Sequence, residues 1–310
     1  MDILPFLIRA TGKSESGRLK SPAPMSTQAA TSPLSPAPGL SATANAYLAL
    51  FRARMRMLLQ YRTAAIAGLG TQLFWGLIKI MIMEAFYRNA TASSAAPMPL
   101  SQVITYTWLG QALFAMLPYS ANPDPEVREM IRSGAVAYEF ARPLDLYNLW
   151  YVRSLASRLA PTLLRVGPQI FCALLFFGMQ PPASLAAFGA WLVATACALL
   201  LVSAFSTLIT VTLLWTVSGD GIARLAPSLV FICSGMVIPL PLYPAWAQPI
   251  LNFLPFRGMA DAPFRLFLGN LPPSAAPGIV AQQLIWTALF VVAGRQLLAR
   301  GTRRLIVQGG

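Results

Sequence analysis

The stretch 185-LAAFGAWLVATACALLLVSAFSTLITVTLLWTVS-218 runs for 34 residues without one charged side chain. At about 1.5 Å of rise per residue it would measure about 50 Å as a helix, well beyond the ~30 Å hydrocarbon core of a bilayer. The segment therefore reads as a membrane crossing that must tilt, kink or leave the membrane before its end. Working outward from it, further apolar runs occupy 63–87, 101–121, 161–178, 225–242 and 278–298, the third weakened by Arg165, Pro168 and Gln169. The chain as a whole is 56% hydrophobic and 11% charged over 310 residues, with a mean hydropathy of +0.59. Soluble domains carry about 25% charged residues. These numbers exclude an ordinary soluble enzyme and predict an all-α integral membrane protein with six transmembrane helices.

The formal charge of +13 would suggest nucleic acid in a soluble protein, but here it reads as topology. With both termini in the cytosol, nineteen of the 23 Lys and Arg residues fall on the inside. Only Arg88, Arg257 and Arg265 are left outside, and Lys79 lies in the first span. The positive-inside rule thus sets the orientation of a multi-pass membrane protein, with no nucleic-acid partner needed and anionic lipids as secondary partners of the terminal arginines. The absence of histidine removes Ser-His-Asp and Cys-His nucleophilic sites and histidine metal sites. Cys172, Cys197 and Cys233 lie at unrelated spacings inside apolar runs and read as small buried hydrophobes.

Residues 1–43 are rich in Ser, Thr, Ala and Pro and poor in large apolar side chains, which predicts a disordered tail. Asp2 and Pro5 argue against a signal peptide, and Gly12-Lys13-Ser14 lacks the earlier glycine of a phosphate loop. Over 44–62 the pattern turns helical: Tyr47, Leu48, Phe51, Met55, Leu58 and Leu59 share one face opposite Arg52, Arg56 and Gln60. This predicts an interfacial amphipathic helix. Arg54 falls inside the apolar arc, so it must snorkel or find an anion.

The connection 122–160 contains Asp124, Glu126, Glu129, Glu139 and Asp145, half of all the carboxylates in the chain. Asp124 suits a helix cap, Pro125 the first helical position and Gly134 the stop. Between them, Val127, Met130 and Ile131 form an apolar ridge suited to docking into a groove on another protein. A solvated connector with Glu129 paired to Arg132 is the plainer alternative.

This loop, 123-PDPEVREMIRSGAVAYEFARPLDLY-147, resembles the cytoplasmic coupling region of ABC-2-type exporter permeases, in particular a six-span bacterial group with Ile-Arg-x-Gly followed by Arg-Pro. The later segments 234-SGMVIPLPLYP-244, 254-LPFR-257 and Pro263-Phe264 resemble that group's fifth span and the outer Pro-rich segment, so the likeness covers 44–304, leaving 305–310 as a C-terminal tail. The resemblance implies a pathway formed with a second permease, identical or related, and driven by a cytoplasmic ABC ATPase dimer that binds ATP and Mg. This chain would bind no cofactor or metal and catalyse nothing. By the same resemblance Glu126, Arg128, Glu129 and Arg132 face the ATPase, Gly134 ends the coupling helix, and Arg142-Pro143 fixes the return.

The outer connection 239–277 holds nine of the 26 prolines and is too apolar for a free loop, so its helical pieces are expected to re-enter the membrane. In the family it resembles an external gate, here carried by Pro239, Pro241, Pro244, Trp246, Pro255 and Phe256; an interfacial aromatic belt is the alternative. Lys79 is a candidate for the substrate path, against snorkelling to the interface. The resulting reading is an exporter permease for an amphiphilic, lipid-like or drug-like substrate. A secondary transporter would need a midplane site, for which the spans offer no central acidic residue. A lipid transferase would need an acid-base or metal constellation, and a non-transporting assembly factor is the remaining rival.

Overall fold

The computed structural model describes residues 40–89, 97–118, 124–140, 142–215 and 220–308; the tail expected over 1–43 lies almost wholly outside them. Eleven α-helices follow in order: α1 Leu40–Leu59, α2 Arg62–Asn89, α3 Leu100–Ala112, α4 Pro125–Ser133, α5 Val136–Phe140, α6 Leu146–Phe176, α7 Leu185–Thr212, α8 Asp220–Cys233, α9 Gln248–Phe253, α10 Asp261–Leu268 and α11 Ala276–Gln308. No strand occurs among the described residues.

Four helices are long and apolar enough to cross a membrane, over Ala65–Asn89, Leu146–Phe176, Leu185–Thr212 and Pro273–Thr302. The other two expected spans are shorter than the sequence suggests. The run 101–121 forms the 13-residue α3 and a 3-10 turn at Phe114–Met116. Pro118 then forces Leu117 into an extended conformation (ψ 157°) and ends the segment. The run 225–242 is not one helix. The 14-residue α8 stops at Cys233, the chain reverses at Gly235 (φ +87°), and the prolines that follow lack the N–H groups to continue it.

The third span departs in the other direction. It starts not near Pro161 but at Leu146, where the Asp145 carboxylate caps the helix by accepting from Asn148 N at 2.8 Å. Pro161 and Pro168 are carried inside the helix. Arg153 and Arg158, read from sequence as loop residues, are therefore on α6 and buried. The long apolar run 185–218 ends as a helix at Thr212, short of Ser218, and α11 continues to Gln308.

α7 packs against α11, α10 and α6, while α1 and α2 lie on α6 and α2 also meets α3. The largest apolar core centres on Trp108, fully buried, with Tyr106, Leu109, Leu201, Met259 and Phe264 around it. Gly76 of α2 admits the Trp108 ring; a Cβ there would overlap it. Separate apolar clusters mark the two ends of the helical array. One unites α4, α5 and the start of α6 with the ends of α7 and α11, and the other joins α10 to the beginnings of α7 and α11.

Candidate functional site

At the α4 end, local sequence and distant pairing combine. Asp124 caps α4 as its pattern predicts, accepting from Glu126 N at 3.1 Å and Val127 N at 3.2 Å, with Pro125 at the first position. Gly134 ends the helix in the left-handed conformation (φ +77°). The apolar ridge does not await another protein. Val127 is fully buried and, with Met130 and Ile131, packs into the cluster of Leu146, Tyr147, Leu149 and Trp150 from α6. Burial of that ridge fixes which face α4 turns outward.

Beneath α4, two guanidinium groups meet three carboxylates. Arg54 of α1 makes a two-pronged contact with Glu126, at 2.6 and 3.0 Å, so this arginine does find its anion. Arg153 of α6 touches all three acids: Glu126 at 2.7 Å, Glu139 at 3.1 Å and Asp124 at 3.5 Å. Trp150 Nε1 donates to the second Glu139 oxygen at 2.7 Å. The network ties α1, α4 and α5 to the base of α6, and its acids are separated from their arginines by up to 72 residues. Tyr47 adds a bond from its hydroxyl to the Asp145 carbonyl at 3.3 Å.

The hydrogen bond from Arg54 holds the Glu126 carboxyl below its ordinary range, against burial, with the charges of Arg54 and Arg153 acting in the same direction. A depressed folded-state value means the pair contributes stability at neutral pH that is lost as pH falls through that value. Thermal unfolding followed from pH 7 to pH 3 is expected to show a pH-dependent loss in the wild type that is smaller in Glu126→Gln. Equal slopes would remove Glu126 from the linkage. Because Glu126 is half-exposed, solvent screening keeps the effect modest, below about 1 kcal/mol.

The outward surface carries Glu129, Arg132, Gly134, Arg142 and Pro143, all exposed, with Arg128 half-buried. Tyr138 (80% exposed) and Phe140 (41%) project beside them. Next to this surface is a groove of about 580 Å³ lined by Phe140, Leu144, Tyr147, Arg295, Leu298 and Thr302. Arg295 closes one wall by lying over the Tyr147 ring and donating to Asn148 Oδ1 at 2.8 Å.

At the opposite end the structure reveals a buried charge that sequence reading passed over. Asp261, at the start of α10, is completely buried. Its Oδ1 accepts from the Tyr106 hydroxyl at 3.1 Å, and its Oδ2 faces Arg265 at 3.6 Å and Arg257 at 3.7 Å. Its backbone N–H donates to Ser234 O at 3.1 Å, joining α10 to the bend after α8. The signal was present as Arg257-x3-Asp261-x3-Arg265, one face of two helical turns in an otherwise apolar segment.

Residues 73–309 match the family described as ABC-2 family transporter protein. The chain belongs to that family. It is a membrane permease of an ABC-type transporter, a kind of subunit that is generally non-catalytic. No curated protein and no solved structure matches it.

The permease separates the six gate residues expected from sequence. Pro239 and Pro255 are buried and open the 3-10 turns Leu240–Leu242 and Pro255–Met259; Phe256 is half-buried, edge-on to Phe205 of α7 at 5.6 Å. Pro241 is half-buried, whereas Pro244 and Trp246 (75% exposed) lie on the rim. The helical piece expected over 244–254 is the shorter α9. Lys79 projects from α2 to the bend after α8, where Nζ donates to Met236 O at 2.8 Å. The space beside it, bounded by Met83, Tyr106, Thr107 and Gly235, is about 10 Å³, room for no more than a water.

Proposed function

We propose that this permease is the membrane half of an exporter for an amphiphilic substrate in the bacterial inner membrane, working with a second permease and a cytoplasmic ABC ATPase dimer that supplies ATP and Mg chemistry. The observation that carries the reading is the division of α4 into two faces. Its apolar ridge and Glu126 are anchored to α6 and α1, leaving Glu129 and Arg132 exposed beside Arg142-Pro143. A helix fixed on one side and polar on the other can transmit a partner's motion as a rigid body, and α6 is the span that receives it.

The topology of this proposal is six crossings with both termini in the cytosol. Support comes from the depth that the short helices cover. Near its start, Thr105 Oγ1 of α3 accepts from Gln180 N beyond the end of α6; at the other end, Met116 O accepts from Arg158. Residues 100–117 thus run antiparallel to the apolar part of α6 and rise about 25 Å, close to a hydrocarbon core. The 14 residues of α8 rise about 21 Å; within it Ala226 lies beside Ile209 and Leu213, and Ser234 just past its end accepts from the Asp261 N–H. Eighteen basic residues, the nineteen counted from sequence less Arg165, then share the side of α4.

The test is co-purification of the tagged chain in mild detergent with its ATPase, compared with a Glu129→Lys, Arg132→Glu double variant. Retention of a Walker-motif subunit by the wild type, with at least tenfold loss of capture and of ATPase stimulation in the variant, is expected. A variant that captures the ATPase normally would overturn α4 as the docking surface. A well-folded wild type that captures none under crosslinking would overturn the transporter assignment.

A further inference from the structure

The helix α6 carries a polar stripe at i, i+4, i+7 and i+11: Arg158, Thr162, Arg165 and Gln169. Its first half finds partners through the Nη atoms and the hydroxyl. Arg158 donates to Met116 O and to Ser206 Oγ, and the Thr162 hydroxyl donates to Arg158 O at 2.7 Å. The second half is not. Arg165 is the twentieth of 31 residues in α6, near the middle of the crossing and not at its inner end as sequence suggested. Its Nε is buried without a hydrogen-bond partner, and among the described residues no carboxylate pairs with it. The Asp124, Glu126 and Glu139 carboxylates gather around Arg153, three helical turns away.

The seam between α2 and α6 is shaped around this guanidinium. Gly68 of α2 leaves a notch for it: a Cβ there would lie 2.5 Å from Arg165 Cζ. One turn further along each helix are Gln72 and Gln169. Trp108 packs on Gly76 and donates its indole N–H to Phe177 O, so α2 and α6 advance in the same direction and the two glutamines sit at one level. Gln169 is 1% exposed and neither its Oε1 nor its Nε2 has a partner; Gln72 is 8% exposed with its Oε1 unpartnered. A buried, unpartnered amide beside an unpaired arginine in a membrane-spanning helix is costly, and such groups mark a ligand or pathway.

We infer that Gly68, Gln72, Arg165 and Gln169 form a binding site for the anionic, hydroxyl-bearing headgroup of an amphiphile. The guanidinium and the Gln169 amide N–H groups supply donors for a phosphate or carboxylate; the two amide oxygens accept from hydroxyls. Ile66 and Phe74 on α2 and Leu163 and Phe171 on α6, each two positions from a site residue and so about 200° round its helix, form the exposed apolar faces turned away from the seam. The proposal takes its substrate class from the exporter reading above, yet its test needs no ATPase, so each can fail alone.

The full-length permease in dodecyl maltoside is titrated with dodecyl phosphate, inorganic phosphate and dodecanol while its unfolding temperature is followed. Dodecyl phosphate is expected to raise that temperature saturably, with a half-saturating concentration at least tenfold higher in Arg165→Gln and in Gln169→Leu, and intermediate in Arg165→Lys. Unliganded Gln169→Leu should be at least as stable as the wild type, because it removes a buried amide that nothing satisfies; weaker binding in a stable variant is an outcome that a packing role would not produce. Wild-type titration by Arg165→Gln or Gln169→Leu overturns the site. So does an equal response to dodecanol, and a full response to inorganic phosphate alone overturns the amphiphile as its ligand. If Arg165→Gln does not fold, Gln169→Leu and Arg165→Lys decide.

Discussion

Arg153→Met is expected to lower the unfolding free energy of this permease by about 3–5 kcal/mol, the cost of leaving buried charges without their partner. Arg153 touches Asp124, Glu126 and Glu139 at once. The side chains of Glu139 and Asp124 are 4% and 8% exposed, so neither acid can turn to water when the guanidinium is removed. Arg54→Met is expected to cost less than about 1 kcal/mol, because its acid Glu126 is half-exposed. Denaturant titration of both variants followed by tryptophan fluorescence is the measurement. Adding Glu139→Gln to Arg153→Met should recover part of the loss, since a neutral amide retains a bond with Trp150 and no longer needs a counter-charge. A loss below about 1 kcal/mol for Arg153→Met would show that the network is not what holds α4 on α6.

At the opposite end, Gly235→Ala is expected to cost about 2.5–5 kcal/mol. Two effects add. A Cβ on a residue at φ +87° brings about 1–2 kcal/mol of backbone strain. It also overlaps the Tyr106 hydroxyl oxygen, and that hydroxyl is held in place by its bond to buried Asp261. Displacing it removes a hydrogen bond to a carboxylate, about 1.5–3 kcal/mol. Tyr106→Phe removes only the second contribution, so its unfolding midpoint should fall between those of the wild type and Gly235→Ala. Equal loss in the two variants would mean that the bend carries no strain of its own.

These two sites differ in how far they could be read from the chain. The α4 region was legible in part because its signals are local: an Asp-Pro start, a glycine stop and an arginine misplaced on the apolar arc of α1 all act within one or two helical turns. What the pattern did not show was the direction in which the helix faces. The ridge of Val127, Met130 and Ile131 looks equally suited to a partner and to the chain's own α6; only the packed structure places it on α6. Hydropathy places Arg153 and Arg158 in a loop because charged residues lower the score of a span. Buried partners repay that cost, and hydropathy has no record of them.

The sequence by itself determined that the chain is helical and membrane-embedded, and its 123–147 and Pro-rich segments carried the resemblance to ABC-2 permeases. Apolar run length, the sign of flanking charges and helix caps are properties of neighbouring residues, so they survive in one dimension. Tertiary structure alone decided where the charges go: Arg54 to Glu126 across 72 residues, Tyr106 to Asp261 across 155, Lys79 to the Met236 carbonyl across 157, and Arg165 to a glycine notch, with no counter-ion among the described residues. It also decided that the fifth apolar run breaks at Gly235. The physical reason is the same in each case. In an apolar interior a polar group is stable only beside a complementary one, and which residue supplies it depends on how the helices pack, not on where it stands in the chain.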